Sequence, residues 1–492
     1  MKIAGKVALG LLGIVGALAA VVAIRTATYE APGAGDGAGA EVNLASAQPM
    51  DLQRAASHLA EAVRFRTISH QDASENDAAE WNSFHAWLAD TYPAAHAAMN
   101  REIVAGHTLV YTWPGNDPTR SPIVLLAHHD VVPVTPGTEP DWMHPPFAGV
   151  VADDAVWGRG TVDNKGSLIG LFEAIEALAA SGFEPGRTVI IVSGHDEEAG
   201  GYGAAAAAQL LKSRNVQAEF VLDEGLLVVA DFPLLGRPVA LIGIAEKGYG
   251  TLRITAPAKG GHSSTPPPQT GVEVLAKALL AITSNPFPMR FAGPAADMVR
   301  TLAPDAAPAV KMAVANEWLF EPLLVRQIAA TPAGAASLHT TIAPTMLRGS
   351  PKENVLPQDA AGWINYRIAP GHNAERVLQH AVDATRDLGV NVDWAQPPYD
   401  PSPVSSITSD GYRVLAAAAS NGGQLPVAPG LVNATTDSRY FTTLAGDVYR
   451  FQPLVLSLRE IEMVHGTNEH LTLDNLRRMI EFYSQVIATA AR

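Results

Sequence analysis

The sequence predicts an α/β protein with a mainly parallel sheet, into which a smaller α+β domain is inserted. Strand-like and helix-like segments alternate through the first half of the body, and this alternation is typical of a parallel sheet covered by helices. The order of strand-like and helix-like segments changes after Gly248, and the first pattern resumes near Pro401. This indicates the insertion. Apolar residues make up 47% of the 492 residues and charged residues 17%. This composition excludes a disordered or coiled-coil protein.

An apolar N-terminal segment precedes the body. Val7–Ile24 is an unbroken apolar run, and its length of about 27 Å as a helix is close to the hydrocarbon thickness of a bilayer. It is longer than the roughly 7–15 residues of a signal-peptide core. We therefore expect residues 1–25 to be an uncleaved membrane anchor, with the body in the periplasm or the extracellular space. Because Ala17-Leu18-Ala19 fits a cleavage site, secretion after signal cleavage is the alternative.

The rest of the chain divides into a linker and two domains. Residues 26–47 are predicted to be a flexible linker, because Gly and Ala dominate residues 31–40. Residues 48–247 and 400–492 form the main domain, and residues 248–399 form the inserted one. The predicted strands are His107–Trp113, Pro122–Ala127, Thr188–Ser193, Glu219–Leu222, Thr251–Thr255, Gly362–Ile368 and Val390–Trp394. The predicted helices are Ala79–Asp90, Ser167–Ala180, Ala204–Ser213, Ala374–Asp387 and Leu473–Ala490.

Charge and cysteine content exclude several classes of function. Asp and Glu number 49 against 34 Lys and Arg, which gives a net charge of −15. A surface this acidic repels phosphate backbones, so we expect no nucleic-acid partner. The chain has no cysteine, which excludes disulfides, thiolate metal sites and a cysteine nucleophile.

Histidines and carboxylates follow three of the predicted strands. In an open α/β sheet, ligands bind beyond the carboxyl ends of the strands. Imidazole and carboxylate side chains together suit Zn²⁺, with Co²⁺ or Mn²⁺ as alternatives. Each residue alone is more typical of a structural role, so the prediction depends on their occurring together. The candidates are His128, Asp130, Asp163, Glu197, Glu198, Asp223 and, near the C-terminus, His465.

Short motifs around these residues carry a resemblance to a known family. They are AHHDVVPV (127–134), GRGTVDNKG (158–166), GHDEEAGG (194–201), LDEG (222–225), GGHSSTPP (260–267) and VHGTNE (464–469). In this order they resemble the zinc-dependent exopeptidase family M-twenty, which includes glutamate carboxypeptidase and aminoacylase-type enzymes. WINYRIAPG (363–371) and TTDSRYFTTLAGDVYRFQPL (435–454) are similar to the carboxypeptidase S branch, which contains Gly-X carboxypeptidase and N-fatty-acyl-amino acid synthase/hydrolase.

The resemblance implies two Zn²⁺ ions in a di-zinc peptidase domain. Asp163 would bridge the two ions. His128 and Asp223 would complete one site, and Glu198 and His465 would complete the other. In the family, the residue pair that matches Asp163 and its successor is often joined by a cis peptide bond.

The resemblance also implies roles for the other candidates. Asp130 would accept a hydrogen bond from the second ring nitrogen of the first histidine ligand, with a loop cap as the alternative. Glu197 would be the general base that takes a proton from a water shared by the metals. His262, often supplied in the family by the partner subunit, would stabilise the oxyanion. Arg367, with Asn354 nearby, would bind the substrate's carboxylate. The alternatives are that His262 is an ordinary turn histidine and that Arg367 forms a surface ion pair.

These implications predict an amidohydrolase with an inserted lid and dimerisation domain. It would cleave N-acyl amino acids or short peptides that carry a free C-terminal carboxylate. A strict carboxypeptidase or dipeptidase for nutrient peptides is one alternative, and an inactive binding paralogue is another. A homodimer through the lid is a further expectation.

The sequence departs from the family pattern in two places. His470 stands where the family commonly has Arg, and residues 293–339 contain no motif that can be placed, so the acyl pocket is not identified. Residues 436–439 resemble a substrate-side motif, to which no role is assigned. Four polar neighbours are interpreted as supporting or structural residues: His129, His195, Asp196 and Glu224.

Overall fold

The computed structural model describes residues 2–33 and 42–492, with the side chains of residues 2–5 and 7–11 left out. Part of the predicted linker, residues 34–41, therefore lies outside the described residues. The chain divides into two compact units. The first comprises residues 1–29, 245–404 and 431–435, and the second comprises residues 30–244, 405–430 and 436–492. The inserted domain predicted at 248–399 falls within the first unit.

Helices and strands are numbered in chain order. The helices are α1 (Lys2–Ala27), α2 (Leu52–Arg64), α3 (Ala78–Thr91), α4 (Pro93–Ala98), α5 (Lys165–Ala180), α6 (Tyr202–Ser213), α7 (Gly271–Thr283), α8 (Gly293–Leu302), α9 (Pro308–Ala315), α10 (Glu317–Ile328), α11 (Pro332–Ser337), α12 (Ala374–Thr385), α13 (Asp410–Ala419) and α14 (Leu473–Ala490). The strands are β1 (Asn100–Val104), β2 (Thr108–Trp113), β3 (Ile123–Leu126), β4 (Val150–Ala152), β5 (Ala155–Trp157), β6 (Val189–Ser193), β7 (Phe220–Phe232), β8 (Arg237–Glu246), β9 (Gly248–Pro257), β10 (Gly261–His262), β11 (Thr341–Arg348), β12 (Val355–Leu356), β13 (Asp359–Ile368), β14 (Asn391–Trp394), β15 (Val427–Val432), β16 (Val448–Leu456) and β17 (His470–Thr472).

The main sheet of the second unit has the strand order β1-β2-β6-β3-β7-β16-β8-β15. Its four central strands, β6, β3, β7 and β16, run parallel, whereas β1, β2 and β8 are antiparallel to their neighbours. The prediction of a mainly parallel sheet is corrected to a mixed sheet. The reason is that short turns join β1 to β2 and β7 to β8, and hairpin connections produce antiparallel pairs.

Both faces of the central strands are covered. Val124 and Ile190 pack against Ala207 of α6 in one apolar cluster. The alternate residues Leu125 and Ile191 point to the other face and are also fully buried. Strands buried on both faces read as continuous apolar runs, and this explains why these strands could be located in the sequence.

The first unit contains a smaller sheet with the order β11-β13-β9-β14. Its strands pair in antiparallel fashion, β11 with β13, β13 with β9 and β9 with β14. Helices α7 and α12 pack on it through apolar side chains such as Leu275 and Val377, which meet Ile254 and Ile364 of the central strands. This agrees with the α+β character predicted for the insertion.

Helix α1 belongs to the first unit and contains the predicted membrane segment. Residues 7–11 of that segment have no described side chains. Across the described part of the chain, no helix combines the length and the apolar content needed to cross a bilayer, so the segment finds no support there.

Four histidines of the second unit lie together beside the sheet. The Nε2 atoms of His85 and His129 are 3.4 Å apart, and Trp81 stacks on His107. The ring of His195 is the fourth member, 5.7 Å from His107 between ring centres. Burial, followed by the neighbouring His107, lowers the pKa of His85 from 6.5 to about 4. His85 therefore stays neutral in the folded protein at neutral pH.

This burial predicts a sensitivity to acid. Between the ordinary pKa of 6.5 and the folded value of about 4, the unfolded chain binds a proton at His85 that the folded chain does not. The free energy of unfolding therefore decreases as the pH falls through this window. In His85→Gln we expect a smaller decrease between about pH 7 and about pH 5. Denaturant unfolding at both pH values measures this change in the free energy of unfolding. The control is His70→Gln, which replaces a partly exposed histidine. An unchanged pH dependence in His85→Gln would show that this histidine is not the source of the sensitivity.

Candidate metal centre

The candidate residues gather at one edge of the main sheet. His128 follows β3, the pair Glu197 and Glu198 follows β6, and Glu224 lies within β7. These strands are neighbours and run parallel, so their carboxyl ends meet at the same edge. Asp163 precedes α5, and its peptide bond to the next residue is cis, as the resemblance implied.

Asp163 lies between two histidines. Its Oδ1 is 2.9 Å from Nε2 of His128, and its Oδ2 is 3.1 Å from Nε2 of His465. A carboxylate that presents one oxygen to each of two imidazoles has the arrangement of a bridging ligand. His465 is also 3.0 Å from Oε1 of Glu198.

The donor atoms form two groups, each within 4.8 Å: His128, Asp163 and Glu224 in one, and Asp163, Glu198 and His465 in the other. The structure thus brings together four of the five ligands predicted from the sequence. The fifth, Asp223, lies outside both groups and remains a predicted ligand, whereas its neighbour Glu224 has its Oε1 3.2 Å from His128 Nε2.

The two adjacent acids of β7 have different hydrogen-bond partners. The Asp223 carboxylate accepts hydrogen bonds from the backbone N–H groups of Ser438 and Glu224, both at 2.8 Å. The register between β7 and β16 shifts directly after Asp223. The sequence analysis interpreted Glu224 as a supporting residue, and the sequence alone does not choose between these two neighbours.

The electrostatics of the two groups reflect crowded, buried carboxyls. Burial and then the charge of Asp163 raise the pKa of Glu198 to about 6 and that of Glu224 to about 8. Hydrogen bonds to Asp163 and Glu198 raise the pKa of His465 to about 10. Burial alone would lower the pKa of His128, but Glu224 and the other surrounding carboxylates raise it well above its usual value.

These donors fit divalent metal ions. Buried carboxylates this close repel one another, and the neutral acid is favoured unless positive charge is supplied. Two groups of imidazole and carboxylate donors around one shared carboxylate would provide three protein ligands for each of two ions. Three protein ligands with an open position are typical of catalytic zinc sites.

Asp130 connects the first histidine to the loop that follows β6. Its Oδ1 is 3.2 Å from Nδ1 of His128, and its two oxygens accept hydrogen bonds from the backbone N–H groups of Glu197 and Glu198 at 3.2 and 3.1 Å. Ser69 donates a further hydrogen bond at 2.5 Å. Burial would raise the pKa of Asp130, but hydrogen bonds from His128 and Ser69 lower it. This carboxylate therefore orients a ligand and the acidic pair together.

A buried ion pair supports the other histidine. Arg159 donates to Glu469 at 2.7 Å and to the backbone oxygens of His465 and Gly466 at 3.2 and 2.9 Å. Glu469 also accepts the backbone N–H of Asp163 at 3.1 Å. The sequence left the support of His465 open, because His470 replaces the family's Arg. Arg159 provides that support from the GRGTVDNKG motif.

Glu197 lies in a one-turn 3₁₀ helix that residues 436–440 hold in place. Burial raises the pKa of Glu197 well above its usual value. The charge of His128 opposes this rise, and the carboxyls of Asp437 and Glu224 add to it. Arg439 donates to the backbone oxygen of Gly200 at 2.7 Å, as does the hydroxyl of the next residue. These contacts connect the motif at residues 436–439, to which the sequence analysis assigned no role, to the turn that carries Glu197.

The buried carboxyl of Asp437 packs against two glycines on either side of Glu197. A Cβ atom added to Gly194 would overlap one carboxyl oxygen of Asp437, and one added to Gly201 would overlap the other. Gly201 also has a positive φ of 67°, so glycine is required there on both grounds. Burial and then Asp223 raise the pKa of Asp437 well above its usual value, which favours its neutral form.

The remaining predicted residues belong to the first unit, and their roles stay predictions. His262 is exposed on β10, where its Nδ1 is 2.8 Å from the Ser264 hydroxyl. Asn354 accepts the Ser263 N–H at its backbone oxygen. Arg367 lies on β13 with its guanidinium over the ring of Tyr249 at 4.9 Å. It lines a cavity of about 390 Å³ whose walls include Tyr249, Met346, Trp363 and Asn365.

Comparison with known proteins gives a consistent result. The sequence matches the model of the peptidase family M20/M25/M40 over residues 124–489. It is 34% identical to "Probable carboxypeptidase S-like 2" of Dictyostelium discoideum, over 88% of this chain and 84% of that protein. It is 33% identical to "N-fatty-acyl-amino acid synthase/hydrolase PM20D1" of Homo sapiens, over 87% of this chain and 86% of that protein.

Solved structures show the same fold. The M20 family metallo-carboxypeptidase Sso-CP2 from Sulfolobus solfataricus superposes with a TM-score of 0.64 at 16% identity, covering 88% of this chain and 98% of that one. Human carnosine dipeptidase 1 gives a TM-score of 0.62 at 15% identity, covering 90% of this chain and 99% of that one.

The two adjacent acids of β7 provide a direct test of the site. Because Glu224 faces His128 and Asp223 accepts backbone hydrogen bonds, we expect Glu224→Gln to lose one metal ion and Asp223→Asn to keep both. The loss of affinity in Glu224→Gln should exceed the roughly 10- to 100-fold cost of losing an outer hydrogen bond. Metal analysis of the purified variants measures it. Metal loss in Asp223→Asn with full occupancy in Glu224→Gln would show that Asp223, the ligand predicted from the sequence, binds the metal and that Glu224 does not.

Proposed function

Because the chain belongs to the peptidase family M20/M25/M40, we propose that it hydrolyses the amide bond of N-acyl amino acids or of short peptides with a free C-terminal carboxylate. The observation that carries this proposal is the position of Asp163, whose two oxygens face His128 and His465 at 2.9 and 3.1 Å. The similarity to a carboxypeptidase S-like protein and to a fatty-acyl-amino acid hydrolase supports the substrate class.

The two donor groups would each hold one metal ion, with zinc as the proposed metal and cobalt or manganese as alternatives. Asp163 would be shared, with His128 and Glu224 on one side and Glu198 and His465 on the other. Bound metals would polarise the substrate carbonyl and make water a stronger acid. The protein fixes the positions of the donors through Asp130, Arg159 and Glu469.

Glu197 is the proposed general base. Its neighbour Glu198 points into the second donor group, whereas Glu197 belongs to neither group. A raised pKa makes this carboxylate a better proton acceptor. It would take a proton from the attacking water and deliver it to the leaving nitrogen. His262 is proposed to stabilise the oxyanion.

Arg367 is proposed to bind the substrate carboxylate, with Asn354 as an additional polar contact. A guanidinium presents a planar pair of donors that matches a carboxylate. The cavity beside Arg367 combines this charge with the apolar surfaces of Tyr249, Met346 and Trp363. Such a lining suits an amphiphilic substrate that carries one negative charge.

The N-terminal helix is proposed to anchor the protein to a membrane, with the body outside the cytoplasm. Lys6 and Arg25 flank the apolar run from Val7 to Ile24, which matches the thickness of the hydrocarbon layer. Signal cleavage and secretion form the alternative. A homodimer through the inserted domain is part of the same proposal.

Single replacements of the two adjacent glutamates, compared with each other, distinguish catalysis from metal binding. We expect Glu197→Gln to keep its metal content and to lose turnover by about 10²–10⁴-fold, because it removes only the base. The matched Glu198→Gln should lose metal as well as turnover, because it removes a ligand. The assays are metal analysis and hydrolysis of N-acetyl, N-lauroyl and N-oleoyl amino acids and of Xaa-Gly dipeptides, with and without a chelator.

The outcomes separate the candidate functions. Turnover of dipeptides alone would favour a strict dipeptidase. Turnover that includes long acyl chains would favour the N-acyl hydrolase. Turnover in Glu197→Gln equal to that of the wild type would overturn the mechanism. Turnover that survives complete removal of the metal would do the same. Absence of turnover on every substrate would favour an inactive paralogue.

A further inference from the structure

The C-terminal end of α1 is fixed to the helices of the first unit by specific hydrogen bonds. Arg25 Nε donates to the backbone oxygen of Ala315 at 3.0 Å. The amide of Asn316 donates to the backbone oxygen of Val22 at 3.3 Å and lies 3.2 Å from the Thr26 hydroxyl. Asn316 is fully buried. The orientation of α1 relative to α9 and α10 is therefore defined by polar contacts and does not depend on apolar packing alone.

Above this junction, α1 exposes apolar side chains in all directions. A residue advances 100° around an α-helix, so the exposed positions of α1 cover most of its circumference. A helix that is apolar all round belongs in a protein core or in a bilayer, and these side chains are not in a core. The exposed residues and their accessible fractions are Leu12 69%, Ile14 67%, Val15 61%, Leu18 39%, Val21 46% and Ile24 63%.

Helix α10 begins immediately after Asn316 and carries its own exposed apolar side. Trp318, Leu319 and Leu323 are exposed by 55%, 41% and 56%. Their spacing places them within about 140° of the helix circumference, so they form one side, which we call the α10 face. A tryptophan beside leucines is typical of a helix at the boundary between lipid and water.

We propose that the α10 face rests in the interfacial layer of a lipid bilayer, next to the point where α1 enters it. The α10 face starts shortly after the buried Asn316 that binds α1, so it is continuous with the end of the apolar helix. The acidic chain, with its net charge of −15, favours a zwitterionic surface over an anionic one. Residues 293–339, to which the sequence analysis gave no role, thereby gain one in holding the first unit at the membrane.

This inference rests on the membrane anchoring in the proposed function and adds a second contact with the membrane. Amphiphilic acyl substrates would dissolve in the same interfacial layer. The hydrolase activity itself does not depend on it.

The absence of cysteine allows a direct measurement. Single variants Leu319→Cys and Leu323→Cys of the full chain would carry a nitroxide spin label and be reconstituted in phosphatidylcholine vesicles. We expect collisions with oxygen to rise several-fold relative to collisions with a water-soluble nickel chelate, because oxygen dissolves in lipid and the chelate does not. Leu280→Cys on α7, a leucine that is 65% exposed in the same unit, is the matched control and should remain accessible to the chelate.

The alternative occupants give different results. Labels on α10 that behave like the control would show that the face lies in water, and labels shielded from both reagents would show that protein covers it, such as a second copy of the chain. Either result overturns the inference. Flotation of the unlabelled chain with the same vesicles separates the causes. A chain that does not float loses both the anchor and the α10 contact, whereas its turnover of N-acyl amino acids and dipeptides remains the independent test of the reaction.

Discussion

The candidate centre depends on one shared carboxylate. Asp163 presents its two oxygens to His128 and His465, and through these histidines it connects the other acidic donors, Glu198 and Glu224. So many buried carboxyls are costly unless positive charge compensates them. Bound divalent cations would supply that positive charge. The other polar contacts of this edge of the sheet maintain this arrangement.

Two buried acids outside the donor groups hold the arrangement in position. Asp130 connects His128 to the backbone of the acidic pair. Glu469 connects Arg159 to the backbone of Asp163. Each carboxylate fixes parts of the chain that are far apart in sequence. Ligands held in this way need little reorganisation when a metal or a substrate arrives, which is the physical basis of preorganised catalysis.

The sequence allowed much of the second unit to be predicted, for reasons that are local. Strands such as β3 and β6 are continuous apolar runs, and the polar motifs that follow them contain His128 and Glu198, whereas Asp163 and His465 lie in separate motifs. Of the antiparallel strands, β2 was predicted as a strand but its direction was not, and β1 and β8 were not predicted. Asp223 and Glu224 are neighbours at a register shift in β7, which a single sequence does not reveal. The support from Arg159 depends on a contact over 306 residues.

The most direct test of the shared carboxylate is the metal content of Asp163→Asn. Zinc per chain would be measured after gel filtration, with circular dichroism to verify that the variant is folded. Because Asp163 belongs to both donor groups, its replacement should remove both ions, whereas a variant of an unshared ligand should remove one. A folded Asp163→Asn protein that retains the metal content of the wild type would show that the two groups do not share this carboxylate, and this would contradict the bridging role of Asp163.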